Sequence, residues 1–291
     1  MDHGLEQLQS AIAQDAVRVA RLALAEDGER DLTSLVAHAE GSAAEGRIEA
    51  RGETVLAGCR YAEAVAGLTG IRLEWSAVDG QRIESGGIVG KVRGDLAGVL
   101  RAERTILNLL QRASGIAAIT RQYVDTVEGT GCTVLHTRKT APGLRLFDVH
   151  AVLLGGGGLH RLDLASVVMI KDNHWVALAR SGTALSDAVQ EARRLGARAV
   201  QIEVETAEQL KLACAAGADR LLIDNQTPER LRSWSARARE LKPGIEIEAT
   251  GGISLKNVRR YAEAGADFIS VGALTHSVVA ADLALEIEPL S

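Results

Sequence analysis

From about residue 196 onward the chain repeats one pattern of apolar and polar positions. A glycine–alanine pair is followed by a short, mostly apolar run and then by a threonine that opens a stretch of helical period. Gly196-Ala197 precedes the run Ala199 to Val204, with Thr206 after it. Gly217-Ala218-Asp219 precedes Leu221-Leu222-Ile223, with Thr227-Pro228 after it. Gly265-Ala266-Asp267 precedes Phe268 to Val271. Each glycine falls where a helix would end in a left-handed residue, a conformation glycine reaches without a Cβ penalty. Thr206 with Gln209 predicts a capping box, and Thr227 before Pro228 predicts an N-cap with proline at the first helical position.

Helices alternating with short buried strands indicate parallel β/α units. Strands are predicted over Thr133–Leu135, Val167–Ile170, Val200–Glu203, Leu221–Ile223, Ile245–Ala249 and Phe268–Val271. The polar residues of interest stand at or just past the C-terminal ends of these runs: Arg138 and Lys139, Lys171, Glu203, Asp224, Thr250-Gly251-Gly252, and Gly272. A parallel barrel gathers such ends into one mouth, where its active sites lie. The first part reads differently. Val17–Ala25 is helical in pattern, Ile48–Ala57 is strand, Gly86–Gly90 is turn and strand, and Leu100–Leu110 has the spacing of an amphipathic helix. This predicts an α+β domain over residues 1–113, a β/α barrel over 114–273, and a tail, 274–291, that packs back on the first domain.

Charge changes the picture only locally. The net charge of −5 carries no footprint of general nucleic-acid binding. No uninterrupted apolar stretch is long enough to span a bilayer, and no basic segment followed by an apolar core opens the chain, so a cytoplasmic protein is expected. Cys59, Cys132 and Cys214 are isolated and lack CxxC spacing, which predicts reduced packing residues. Against this acidic background, Thr137-Arg138-Lys139-Thr140, His160-Arg161 after the glycines Gly155 to Gly158, and Lys171-Asp172-Asn173-His174 crowd one short segment. Arginine offers a planar fork and lysine a point charge for carboxylate or phosphate, so a small ligand with several negative charges is expected.

Glu203 and Asp224 hold equivalent places on successive strands. Such a pair suits Mg²⁺ carried by phosphates, although ion pairs around the rim would produce the same residues. Zinc spacing of the HxxxH kind is absent. Thr250-Gly251-Gly252 and Val271-Gly272-Ala273 follow the last two strands, where small residues let backbone N–H groups approach a phosphate; Ser254 is read as the following N-cap.

At these residues the chain resembles the quinolinate phosphoribosyltransferase family. The resemblance begins at Glu26-Asp27 and Asp31-Leu32-Thr33 and continues through Glu103-Arg104-Thr105, Asn108 and Gln111-Arg112. It takes in Thr137 to Gly143, Gly155-Gly156-Gly157, His160-Arg161, Lys171 to His174, Ile223-Asp224-Asn225 and Gly251-Gly252-Ile253, and ends at Ser270 to Ser277. It implies an α/β fold with an N-terminal α/β sandwich domain, an incomplete β/α barrel of the type II phosphoribosyltransferase kind, and a homodimer, or dimer-based oligomer, with shared active sites. It implies quinolinate and phosphoribosyl pyrophosphate as substrates and Mg²⁺ as cofactor. Carried over, Arg104, Thr137, Arg138, His160, Arg161 and Lys171 would hold the pyridine dicarboxylate side of the site. Lys139, Glu203 and Asp224 would be catalytic, facing ribose, pyrophosphate and a Mg²⁺ that Glu203 and Asp224 hold directly or through water. Thr250, Gly251 and Gly252, with Val271, Gly272 and Ala273, would hold the 5-phosphate.

Two positions depart from the family pattern: His136 stands where many members have Asp, and Leu159 where Asn commonly precedes His-Arg. A paralogous phosphoribosyltransferase acting on another acidic ring is therefore one alternative. A barrel aldolase or isomerase using Lys171 as a Schiff-base nucleophile is a second, and a phosphosugar-binding sensor without turnover is a third.

Overall fold

The computed structural model describes residues 2–289; residue 1 and residues 290–291, which the sequence reading included in its outer ranges, lie outside the described residues. The chain opens with α1 (Asp2–Glu26), α2 (Leu32–Val36), β1 (Ala43–Ala50), β2 (Thr54–Val55), α3 (Cys59–Thr69), β3 (Arg72–Trp75), β4 (Arg82–Ile83), β5 (Ile88–Asp95) and α4 (Leu96–Val127). Then follow β6 (Thr133–Leu135), α5 (Arg145–Leu154), β7 (Val167–Ile170), α6 (Asp172–Ser181), α7 (Leu185–Arg194), β8 (Ala199–Val204), α8 (Ala207–Ala216) and β9 (Arg220–Asp224). The last elements are α9 (Pro228–Leu241), β10 (Glu246–Thr250), α10 (Val258–Glu263), β11 (Phe268–Ser270), α11 (Ala273–His276) and β12 (Leu283–Pro289).

The chain divides into two compact units. The first runs through Arg121 and adds Thr140–Gly156 and the stretch from Leu274; the second is Gln122–Lys139 with Gly157–Ala273. Residue 113, after which the sequence pattern places its boundary, lies within α4. The apolar period of α4 continues past that point through buried Ile116, Ala117, Tyr123 and Val127, so one helix runs unbroken to Val127. The Ile48–Ala57 strand of the sequence reading is likewise two pieces, β1 and β2, separated by a bend at Arg51-Gly52.

In the first unit an antiparallel sheet has the order β12-β1-β5-β3. The tail strand β12 pairs with β1 along Leu283–Pro289, and Gln111 of α4 donates from Nε2 to the Leu283 carbonyl at 2.8 Å. Asp31 explains its own motif: its carboxylate accepts from the backbone of Thr33 and Ser34 and caps α2.

In the second unit six parallel strands follow the order β6-β11-β10-β9-β8-β7. Edge strands β6 and β7 do not pair with each other among the described residues, so the barrel is incomplete. Leu135 of β6 instead bridges Gly158, where a Cβ would stand 2.6 Å from Thr133 Cγ2 and 2.8 Å from Leu135 Cδ2. That glycine serves close backbone approach. Thr206 and Thr227 cap α8 and α9 as the pattern predicts. Ser254 does not cap; α10 starts at Val258 with Asn257 in the cap position, because Asn257 Oδ1 accepts from the Ser254 N–H and closes a turn first. The aspartate of the repeat also acquires a role. Asp219 accepts from Val200 N at 2.6 Å and Asp267 from Ile247 N at 2.8 Å, so each ties the start of the preceding strand to the next unit. Ile202, Leu221, Ile247 and Ile269 are fully buried and form the apolar layer of this unit.

Candidate active site

Side chains alternate across a strand, so residues two apart share a face. On β9 one face carries Leu222 and Asp224, on β10 Glu248 and Thr250, on β8 Glu203, and on β7 Met169 with Lys171 just beyond. Register brings these rows together: Leu222 lies opposite both Glu203 and Glu248, and Thr250 opposite Asp224. With His136 to Lys139 after β6 and His160-Arg161 before β7, they line a cavity of about 510 Å³.

Two guanidinium groups define one side of it. Arg138 Nε is buried and has no hydrogen-bond partner among the described residues. Arg161 donates to the Val167 carbonyl at 3.1 Å, and burial, with the nearby Arg138 charge, pulls its pKa below the usual arginine value. Two such cations placed together cost free energy that an anion between them would recover.

His136 and His160 are tied to each other. His160 N–H donates to His136 Nε2 at 2.9 Å, so the other His136 nitrogen, Nδ1, carries the proton and faces the Thr137 carbonyl at 3.1 Å. Burial lowers the His136 pKa to about 4. The His160 ring is engaged at both ends: Nδ1 accepts from Arg161 N–H at 2.7 Å, and Nε2 lies 3.3 Å from Glu248 Oε2. The ring is therefore held by the protein itself. Leu159 is half exposed and is not among the cavity residues, so of the two departures from the family pattern only His136 meets the pocket.

The carboxylates stand across the cavity. Lys171 Nζ lies 2.5 Å from Glu203 Oε2, so the lysine and the carboxylate assigned to different substrates form one ion pair. His174 positions that lysine's backbone: Lys171 N–H donates to His174 Nδ1 at 3.0 Å at the start of α6. Burial and then the neighbouring Glu203 raise the Asp224 pKa, with Lys171 and Lys139 acting against them. Asn225 holds Asp224 from the side, Nδ2 to Oδ2, at 2.6 Å.

Gly251 and Gly252 both have positive φ, +82° and +62°, which explains why glycine follows Thr250. Val271 and Gly272 follow β11, Ala273 begins α11, and none of the three is among the cavity residues. Arg104 is exposed on α4 of the first unit and is likewise outside that lining. The sequence reading missed Met169, Leu222 and above all Glu248. The signal was present, since Glu248 lies two residues before Thr250 and must share its face.

Residues 31–114 match the family model described as Quinolinate phosphoribosyl transferase, N-terminal domain, and residues 116–286 match that of the C-terminal domain. The chain is 38% identical over 265 residues to the probable nicotinate-nucleotide pyrophosphorylase (carboxylating) of Bacillus subtilis (strain 168), covering 89% of each. It is 37% identical over 265 residues to the nicotinate-nucleotide pyrophosphorylase (carboxylating) of Mycobacterium leprae (strain TN), covering 88% of this chain and 91% of that one. The solved nicotinate-nucleotide pyrophosphorylase of Francisella tularensis has a TM-score of 0.88 at 34% identity, covering 95% of this chain and 97% of that one.

Proposed function

The chain belongs to the quinolinate phosphoribosyltransferase family, and on that premise we propose that it transfers the phosphoribosyl group of phosphoribosyl pyrophosphate to the ring nitrogen of quinolinate. The products are nicotinate mononucleotide, pyrophosphate and CO₂, a step of NAD biosynthesis. The observation that carries this reading is the Arg138–Arg161 pair, two neighbouring cations of which Arg138 has a buried Nε with no hydrogen-bond partner among the described residues, facing a cluster of acids across the same cavity.

Arg138 and Arg161 would take the two adjacent carboxylates of the ring, and the backbone about Gly251 and Gly252 would receive the 5-phosphate. The anomeric carbon loses its bond to pyrophosphate and gains one to the ring nitrogen, passing through oxocarbenium character that the Glu203 and Asp224 carboxylates stabilise. Lys139 would meet the departing pyrophosphate. No covalent bond to the protein forms. The carboxyl beside the quaternised nitrogen then leaves as CO₂, and the ring carbon it leaves takes up a proton. Orientation and charge complementarity are the protein's share of the rate.

The residues fit a divalent cation. Glu203, Glu205 and Asp224 each place an oxygen within 4.8 Å of the others, a hard-oxygen set of the kind Mg²⁺ prefers. Glu203 and Asp224 would hold the ion, which supplies neutralising charge to phosphate oxygens. No helix among the described residues is long and apolar enough to cross a membrane, and a cytoplasmic homodimer in which Arg104 completes the partner's site is part of the proposal.

The test is direct: purified protein with quinolinate, phosphoribosyl pyrophosphate and Mg²⁺, following CO₂ and pyrophosphate. Both should appear in equal amounts. One ion pair at about 4 Å is worth roughly 4 kcal/mol at an effective dielectric near 20, before desolvation. Nicotinate, with one carboxylate, should therefore be used at least about 100-fold less well. Equal use of the two acids, or no use of quinolinate by folded protein, refutes the reading. Borohydride with a carbonyl substrate should leave Lys171 unmodified.

A further inference from the structure

One buried chain of polar groups runs from the inlet end of the barrel strands to the cavity. Arg220, at the start of β9, lies with its guanidinium 3.7 Å over the Phe268 ring. It donates from Nη1 to Glu248 Oε2 at 3.0 Å and bridges Glu246 at 2.8 Å. Glu248, mid-strand on β10, is 1% exposed, and the same oxygen faces His160 Nε2 at 3.3 Å. Beyond His160 the chain ends on the backbone N–H of Arg161 and, on the other side, on His136.

We propose that Glu248 is a positioning residue for the anion pocket: it sets the orientation and tautomer of the His160 ring, and through that ring the placement of Arg161. The inference rests on the proposed phosphoribosyl transfer and deepens it. Hydrogen-bond logic carries it. His160 Nδ1 accepts from Arg161 N–H, so the ring proton sits on Nε2, and Nε2 needs an acceptor. Glu248 supplies that acceptor. A flipped ring would present a C–H to the Arg161 backbone and release it.

Burial argues that this chain is more than a fold device. A buried ion pair replaced by apolar residues of similar size is often neutral or stabilising, so packing alone does not require Glu248. Arg220 also has a second consequence. By lying against Glu248 it screens a carboxylate that would otherwise face a dicarboxylic ligand across the pocket floor.

Two variants test this in the Mg²⁺-loaded full chain. Glu248→Gln keeps an oxygen for His160 and removes the charge facing Arg220. The double variant Arg220→Met/Glu248→Leu removes the network and fills its volume, guarding against a variant that fails to fold. Both are measured by quinolinate binding in calorimetry, by KM for each substrate, and by ¹⁵N-histidine NMR of the His160 ring. For the double variant the expected result is a quinolinate Kd and KM raised about tenfold or more, the size of one lost hydrogen bond to a charged group, whereas Glu248→Gln, which still offers His160 an acceptor, should stay within about threefold of the parent. The KM for phosphoribosyl pyrophosphate should move less than about threefold, and in the double variant the parent's Nε2–H signature should be lost. Parent protein that turns over quinolinate while the double variant matches its quinolinate KM overturns this inference alone. A uniform loss of kcat with an unchanged ratio of KM values also overturns it, since a structural role predicts that pattern. Parent protein that neither binds nor turns over quinolinate overturns the underlying reading, and this inference with it.

Discussion

Gly251→Ala separates backbone strain from damage to the acidic cluster, because its neighbour Gly252 is a built-in control. Both residues have positive φ, so an alanine at either costs about 1–2 kcal/mol in backbone conformation. Space differs. A Cβ on Gly252 meets nothing within 4 Å, whereas one on Gly251 would stand 2.2 Å from Asn225 Oδ1, 2.6 Å from its Cγ and 2.9 Å from its backbone nitrogen. Asn225 has little room to yield. It is itself left-handed at φ 53°, its N–H donates to the Thr250 carbonyl at 3.0 Å, and its side chain holds Asp224 at 2.6 Å. Displacing it removes a hydrogen bond to a carboxylate, roughly 1.5–3 kcal/mol. The total for Gly251→Ala is then about 3–5 kcal/mol, against about 1–2 for Gly252→Ala. Turnover with quinolinate and phosphoribosyl pyrophosphate should fall about 10- to 100-fold further for Gly251→Ala than for Gly252→Ala. Steady-state kinetics beside thermal unfolding of both variants gives the comparison. Equal losses in the two, or a Gly251→Ala variant with normal turnover, would refute the claim that Asn225 transmits the clash to Asp224.

Three further outcomes are expected. Asp224→Asn should lower turnover while raising stability near pH 7, because the folded pKa of Asp224 lies above its ordinary value and ionisation there opposes folding; the stability gain should vanish as pH falls below about 3.8, and Mg²⁺ should raise the melting temperature of the parent but not of the variant. His136, held neutral, should make stability fall as pH drops from about 6.5 to about 4, by up to roughly 3 kcal/mol, and His136→Gln should flatten that part of the denaturation profile. Mixing Arg104→Ala subunits with Lys171→Ala subunits should restore part of the activity through hybrid dimers; no recovery after confirmed subunit exchange counts against a shared site.

Much of the second unit was legible in sequence because its signals are local. A capping threonine, a proline at the first helical position and a glycine at a helix end act on backbone within a few residues, so Thr206, Thr227 and Gly217 could be read directly. The period of two along a strand fixed which residues share a face, and it would have exposed Glu248 as readily as Thr250. The length of α4 was less legible, since its apolar face simply continues where a domain boundary was expected.

Only the tertiary structure decided who pairs with whom. Lys171 meets Glu203 across two strands 32 residues apart in sequence, and His160 meets Glu248 across 88. No local preference encodes such partners; register, strand order and the volume of neighbouring side chains select them. Composition told of cations and acids near one mouth. Packing determined that Arg138 and Arg161 stand together beside the cavity while Lys171 rests on an acid, because the buried Glu203 carboxylate takes the cation that the barrel brings within reach.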